Sequence, residues 1–96
     1  MGFFVYIAVD PFGSFHVGVT NDLAGRIAEL QLHHPVTVRG ISLQPTRLVY
    51  YEVISSLRKA VYREQQLKTW KRGRQKRLVS AVNPEWRDLN AVNREP

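Results

Sequence analysis

The chain contains no cysteine. That excludes disulfides, a disulfide-linked partner, thiolate metal sites and cysteine nucleophiles, so any metal must be held by carboxylate, imidazole or water. Nor is there an apolar run approaching the roughly 20 residues that a membrane-spanning helix needs. The opening residues Met1 to Tyr6 lack the basic start and small-residue cleavage site of a secretion signal, and they read as a strand. These absences give the expectation of a cytoplasmic protein with no membrane partner. No internal repeat or low-complexity segment is present, and 96 residues suffice for one core. The expectation is a single domain over residues 1–90 with a frayed tail at 91–96.

Acidic residues are scarce as well. Against 14 Lys+Arg there are 8 Asp+Glu, leaving a formal charge of +6 and a pI near 10.2, which points to a polyanionic partner. The bases are concentrated: Arg58, Lys59, Arg63, Lys68, Lys71, Arg72, Arg74, Lys76 and Arg77 share a stretch whose only acid is Glu64. A solvated helix face is the plainer reading of such a run; a nucleic-acid surface is the functional one.

What is present reads as a small α+β domain. Phe3 to Val9 is apolar and rich in strand formers, Asp10-Pro11-Phe12-Gly13 gives a turn, and Phe15 to Val19 resumes the strand pattern. Asn21 can cap a helix carrying Leu23, Ile27 and Leu30, stopped by Leu32-His33-His34-Pro35. Residues 35–46 read as loop, with Val36, Val38 and Ile41 able to form a brief extended piece. Arg47 to Val53 is a third strand. Ser55 or Ser56 then caps a long helix with an inward stripe of Leu57, Ala60, Val61, Leu67 and Trp70, ended by Gly73. A last helix near Gln75 to Val82 carries Leu78, Val79 and Val82 inward, and Asn83-Pro84-Glu85-Trp86 forms a final turn. The order β-β-α-β-α-α describes a three-stranded antiparallel sheet flanked by three helices.

Four residues call for more than packing. Glu64 lies on or beside the inward stripe of the long helix, where an ionised carboxylate is costly unless paired or bound to metal. Lys68 at i+4 is its plain partner, with Arg47 or Arg26 also within conceivable reach. Arg26 sits at the apolar margin of the first helix, either a snorkelling surface arginine or a bidentate phosphate contact. Tyr6 and His16 share a face only if the hairpin pairs residues whose numbers sum to an even value, as a five-residue connection would. Gly18 would then leave space beside them. A core tyrosine and an edge histidine are the alternative.

Together these features resemble a known family. Val5-Tyr6-Ile7, then His16-Val17-Gly18, Val19-Thr20-Asn21-Asp22-Leu23 and Arg26 resemble the signature of the GIY-YIG nuclease superfamily. Leu48 to Glu52 is similar to its third strand, Arg63 to Trp70 to its glutamate helix, and Asn83 to Trp86 to its ending. The resemblance runs from Phe3 to Leu89 and is strongest to short stand-alone proteins similar to the nuclease domain of UvrC.

The resemblance implies a divalent-metal-dependent endonuclease that hydrolyses DNA phosphodiesters, structure-directed and linked to repair or recombination. Glu64 would hold one Mg²⁺ or Mn²⁺ and Arg26 the phosphate, while Tyr6 and His16 would position or deprotonate the attacking water. The alternative is a nucleic-acid-binding module that keeps the fold without the chemistry. DNA is favoured over RNA, and a second copy or protein partner would enlarge so small a binding surface. Two departures stand out: His16 replaces a tyrosine, and Leu30 stands where a histidine is common. An imidazole of pKa about 6.5 is a more available base near neutrality than a phenol of about 10. His33 or His34 could fold back to serve where Leu30 cannot, and Asn83 could act near the site or merely cap a helix.

Overall fold

A computed structural model describes residues 2–34 and 36–90; the tail expected at 91–96 lies outside the described residues. Strand β1 (Phe3–Val9) is the middle of a three-stranded antiparallel sheet, between β2 (Phe15–Thr20) and β5 (Arg47–Ile54). Helix α1 (Leu23–His33) covers one face, and α2 (Leu57–Thr69) and α3 (Arg72–Val82) cover the other. This is the α+β plan expected from the sequence.

Alternation along β1 decides which residue meets which helix. Phe4, Tyr6 and Ala8 pack with Leu23, Ile27 and Leu30 of α1. Val5, Ile7 and Val9 turn the other way, toward Ala60 and Leu67 of α2 and Val79 of α3. With helices on both sides, β1 is apolar at nearly every position rather than at every second one. On β5 the register slips between Ile7↔Tyr50 and Ala8↔Leu48, making Val49 the extra residue of a bulge. Asn83 Nδ2 donates to the Val49 carbonyl at 2.9 Å and to the Arg87 carbonyl at 3.0 Å, while Asn83 Oδ1 accepts from Arg87 N. Asn83 therefore ties the end of the domain to the bulge, which satisfies a carbonyl the ladder leaves free.

Several local expectations are corrected. Asp22, not Asn21, caps α1: its Oδ1 accepts from Gly25 N at 3.1 Å, and a Cβ at Gly25 would stand only 2.8 Å from Asp22 Cγ. Of the two serines expected as candidate caps of α2, Ser56 is the one that caps it. That helix ends at Thr69, and Gly73 lies inside α3. At the stop, which uses no left-handed glycine, the Leu67 carbonyl accepts from Trp70 N at 3.2 Å and also from Nε2 of buried Gln75 at 2.9 Å. Leu57, Val61 and Val82 are exposed, because the buried stripes pass through Ala60 and Leu67 on α2 and Gln75 and Val79 on α3. Between α1 and β5 the expected loop contains a two-stranded ribbon, β3 (Thr37–Val38) with β4 (Ile41–Ser42), turned by Arg39 and Gly40, both at positive φ.

Candidate active site and nucleic-acid interface

The hairpin register is the even-sum pairing: Tyr6 faces Gly18, and Ala8 faces His16. Residues 10–14 make the connection, so Tyr6 and His16 lie on the same face, the one covered by α1. The Tyr6 ring crosses directly over Gly18; a Cβ there would lie 2.7 Å from Tyr6 Cζ, closer than two carbons can approach. The glycine is thus what lets the phenol cross the neighbouring strand.

Arg26 meets that phenol. Its Nε donates to Tyr6 Oη at 2.9 Å, and its Nη1 reaches Glu29 more weakly at 3.4 Å. The hydrogen bond to Tyr6 raises the guanidinium pKa further above its ordinary value. The bond also fixes the plane of the guanidinium, whose side chain remains 41% exposed.

His16 has a partner that the sequence did not suggest. Its Nε2 lies 2.9 Å from Asp10 Oδ2, while Asp10 Oδ1 accepts from the amides of Phe12 at 2.8 Å and Ser14 at 3.0 Å. Burial disfavours the Asp10 carboxylate, but the hydrogen bonds from His16, Ser14 and Phe12 outweigh it and hold the carboxyl below its usual range. Asp10 reads in the sequence as an ordinary turn residue, and nothing in its immediate neighbours distinguishes it from one. His34 does fold back. It is half-buried at the end of α1, its ring 5.0 Å from that of His16, whereas His33 is exposed. Leu30 stays in the core.

Glu64 lies on the core-facing side of α2, between buried Ala60 and Leu67, on the helix packed against β1 and β2. Its side chain is 19% exposed and pairs with Lys68 Nζ at 3.4 Å. Arg47 instead donates to the Trp86 carbonyl at 3.2 Å. Among the described residues no hydrogen bond or ion pair joins Glu64 to Tyr6, His16 or Arg26.

The basic stretch divides into committed and free side chains. Arg63 is committed: Nη2 and Nε bond the two oxygens of Glu52 at 2.8 and 3.0 Å, and Tyr50 Oη donates to the same carboxylate. Burial disfavours the charge on Glu52, and Arg63 more than compensates, leaving its carboxyl below the usual range. Burial first, and then the neighbouring Glu52 charge, push the Tyr50 phenol up to about 12. Arg72 donates to the Gly13 carbonyl at 2.7 Å and lies over the Phe15 ring. Arg74 stacks on Trp70 at 3.9 Å. Arg58, Lys59, Lys68, Lys71, Lys76 and Arg77 are exposed. At the α2–α3 junction Trp70, Lys71, Arg74 and Arg77 line an open groove of about 790 Å³, a basic surface with an aromatic floor.

Comparison with known proteins bears on the family and the fold. Residues 2–77 match the family model of the GIY-YIG catalytic domain. The chain is similar to the solution NMR structure of the UPF0213 protein BH0048 from Bacillus halodurans, at 28% identity and a TM-score of 0.60, covering 93% of this chain and 94% of that one. Among curated proteins none matches. No helix of the described residues is long and apolar enough to cross a membrane.

Proposed function

Since the chain belongs to the GIY-YIG family and so carries a nuclease domain, with the match spanning residues 2–77, we propose that it is a divalent-metal-dependent DNA endonuclease. The single observation that carries the reading is the Tyr6–Arg26 hydrogen bond, set across Gly18 on the helix-covered face of the hairpin. It places the first-motif tyrosine and the first-helix arginine in one rigid unit with a charged, half-open guanidinium.

Glu64 suits one Mg²⁺ or Mn²⁺: it is a partly open carboxylate whose partner is an exposed, displaceable lysine, and these ions take one or two carboxylates and complete their shell with water and phosphate. Such an ion supplies Lewis-acid stabilisation of the phosphoryl oxygens and a more acidic bound water. Arg26, its Nε engaged by Tyr6, offers its outer nitrogens to a phosphate oxygen. The Tyr6 hydroxyl, accepting from Arg26, keeps its own proton to donate toward phosphate or water. His16 is the base: with Asp10 ionised, Nε2 carries the shared proton and Nδ1 the lone pair that takes a proton from water.

The exposed bases of α2 and α3, together with Arg74 on Trp70, hold the DNA backbone. Phosphate contacts of this kind position a duplex without reading its bases, so branched, flapped or nicked DNA is the substrate rather than a base string, as in repair or recombination. A cytoplasmic setting accords with the cysteine-free sequence, and a second copy or a protein partner would extend the small DNA-binding face.

One observation favours a second reading, a DNA-binding module without catalysis: Glu64 stands on α2, which covers the sheet face opposite to Tyr6, His16 and α1, rests on Lys68, and shares no hydrogen bond with the hairpin residues among those described. Incubation with nicked, flapped and supercoiled DNA in Mg²⁺ or Mn²⁺ separates the two. Cleavage that disappears in Glu64→Ala supports the enzyme; salt-sensitive binding without cleavage supports the module. Undiminished cleavage by His16→Ala removes the assigned base.

A further inference from the structure

We propose that Asp10, His16 and His34 form a binding site for one transition-metal ion of the Zn²⁺, Co²⁺ or Ni²⁺ class, separate in its donors from Glu64. The three residues come from the β1–β2 turn, the first half of β2 and the end of α1, and one donor atom from each lies within 4.8 Å of the others. His16 Nε2 is 2.9 Å from Asp10 Oδ2 and His34 Nε2 is 3.8 Å from the same oxygen. Ligands at about 2.0–2.2 Å from one ion are at most about 4.4 Å apart, so both separations already suit a shared ion. The two imidazole donors lie within 4.8 Å of each other, and drawing them together by about 1 Å brings them to the spacing of tetrahedral ligands.

Each ligand is also oriented from behind. The Phe12 and Ser14 amides occupy Asp10 Oδ1, leaving Oδ2 as a single donor turned to the rings. His34 Nδ1 donates to the Leu30 carbonyl at 2.7 Å, with the hydroxyl of fully buried Thr46 at 3.4 Å. That bond fixes the tautomer: in a neutral ring the lone pair belongs to Nε2, the atom facing Asp10. Hydrogen-bonded ligands of known tautomer are the usual outer shell of a metal centre.

A plain Asp10–His16 ion pair needs only the 2.9 Å contact and does not involve His34. His34 Nε2, 3.8 Å from the same oxygen, is brought close by a proton on that ring or by a shared cation, and the metal titration below distinguishes the two. Two imidazoles and one carboxylate suit borderline transition metals and not Mg²⁺, and the partial exposure of both rings, 34% and 19%, leaves positions for water. The inference rests on these donors and not on the nuclease reading, and the loaded site excludes the base role: an ion on His16 Nε2 leaves the ring proton on Nδ1, so His16 takes a proton from water only when the site is empty.

The test titrates tag-free, metal-stripped protein with Co²⁺, reading visible d–d absorption, and with Zn²⁺ by calorimetry. The expected result is one equivalent bound, affinity at least tenfold weaker in His34→Gln and Asp10→Asn, and no change in Glu64→Ala. Asp10 also holds the turn, so His34→Gln, checked for native circular dichroism, keeps the test decisive if Asp10→Asn does not fold. Absence of a d–d band, a band unchanged in His34→Gln, or one lost only in Glu64→Ala overturns the site. Because no DNA is present, failure here leaves the cleavage assay standing, and failure of cleavage leaves this site standing.

Discussion

Tyr6 and Gly18 face each other across the β1–β2 ladder with the phenol lying where a side chain at residue 18 would begin. Gly18→Ala must therefore displace the Tyr6 ring, and with it the Arg26 hydrogen bond. Overpacking at so enclosed a point costs about 1–3 kcal/mol. Thermal melts of Gly18→Ala, Tyr6→Ala and the double variant measure it: the alanine at 18 is expected to be markedly less costly once the ring is gone. Equal costs in both backgrounds would mean that the ring is not what the glycine accommodates.

Arg63 and Arg77 belong to the same basic stretch but have different work. Arg63 is bonded through two nitrogens to half-buried Glu52, so Arg63→Ala leaves a carboxylate without its counter-charge and is expected to cost about 1–3 kcal/mol in chemical denaturation. Arg77 is exposed at the rim of the groove beside Trp70, and Arg77→Ala should change stability by no more than about 0.5 kcal/mol. Its expected effect is on DNA affinity, with the slope of log affinity against log salt falling by about 1. Equal stability losses would show that Arg63 is as free as its neighbour.

How far the sequence discloses this architecture depends on the range of the interaction. Strand β1 and Glu64 between Ala60 and Leu67 follow from period, a local quantity, whereas the sequence leaves the hairpin register open and the structure shows it to be the even-sum pairing. The junction at Trp70 does not follow from period, because its turn carries no glycine signal and the Leu67 carbonyl is shared between Trp70 N and a Gln75 side chain eight residues on. Likewise Asp10 looks like any turn aspartate until β2 brings His16 to its second oxygen and the end of α1 brings His34 alongside. The Glu52–Arg63 pair, which withdraws one base from the charged face, links a strand to a helix and has no spacing rule. Side-chain contacts between elements are what the linear pattern omits.

The Asp10 carboxyl is held below its usual value of 3.8, against the effect of burial, by His16 and the Ser14 and Phe12 amides. A depressed carboxylate stabilises the fold above the unfolded value and loses that contribution as pH falls through the folded one. Unfolding free energy should therefore decline below about pH 4, and part of the decline should vanish in Asp10→Asn. Glu52, depressed by Arg63 from 4.5, adds to the same acid limb, so Glu52→Gln should remove a further part. Urea denaturation between neutrality and pH 2.5 on the three proteins measures this. An acid limb identical in all of them would contradict the assignment.

Tyr50 sets the opposite limb. Its phenol is raised from 10.0 to about 12, first by burial and then by the adjacent Glu52 carboxylate, with Arg63 working against both. A raised group contributes stability fully below its unfolded pKa, and that contribution is lost as pH rises through the folded value. The chain should consequently lose stability between pH 10 and about 12. Ultraviolet difference titration of the folded protein against Tyr50→Phe should assign one phenolate transition near 12 to this residue. Tyr50→Phe should also flatten the alkaline decline in stability, because the phenylalanine has no proton to lose in either state. A Tyr50 transition appearing at the ordinary phenol value would show that the ring is not enclosed between β5 and the Arg63–Glu52 pair.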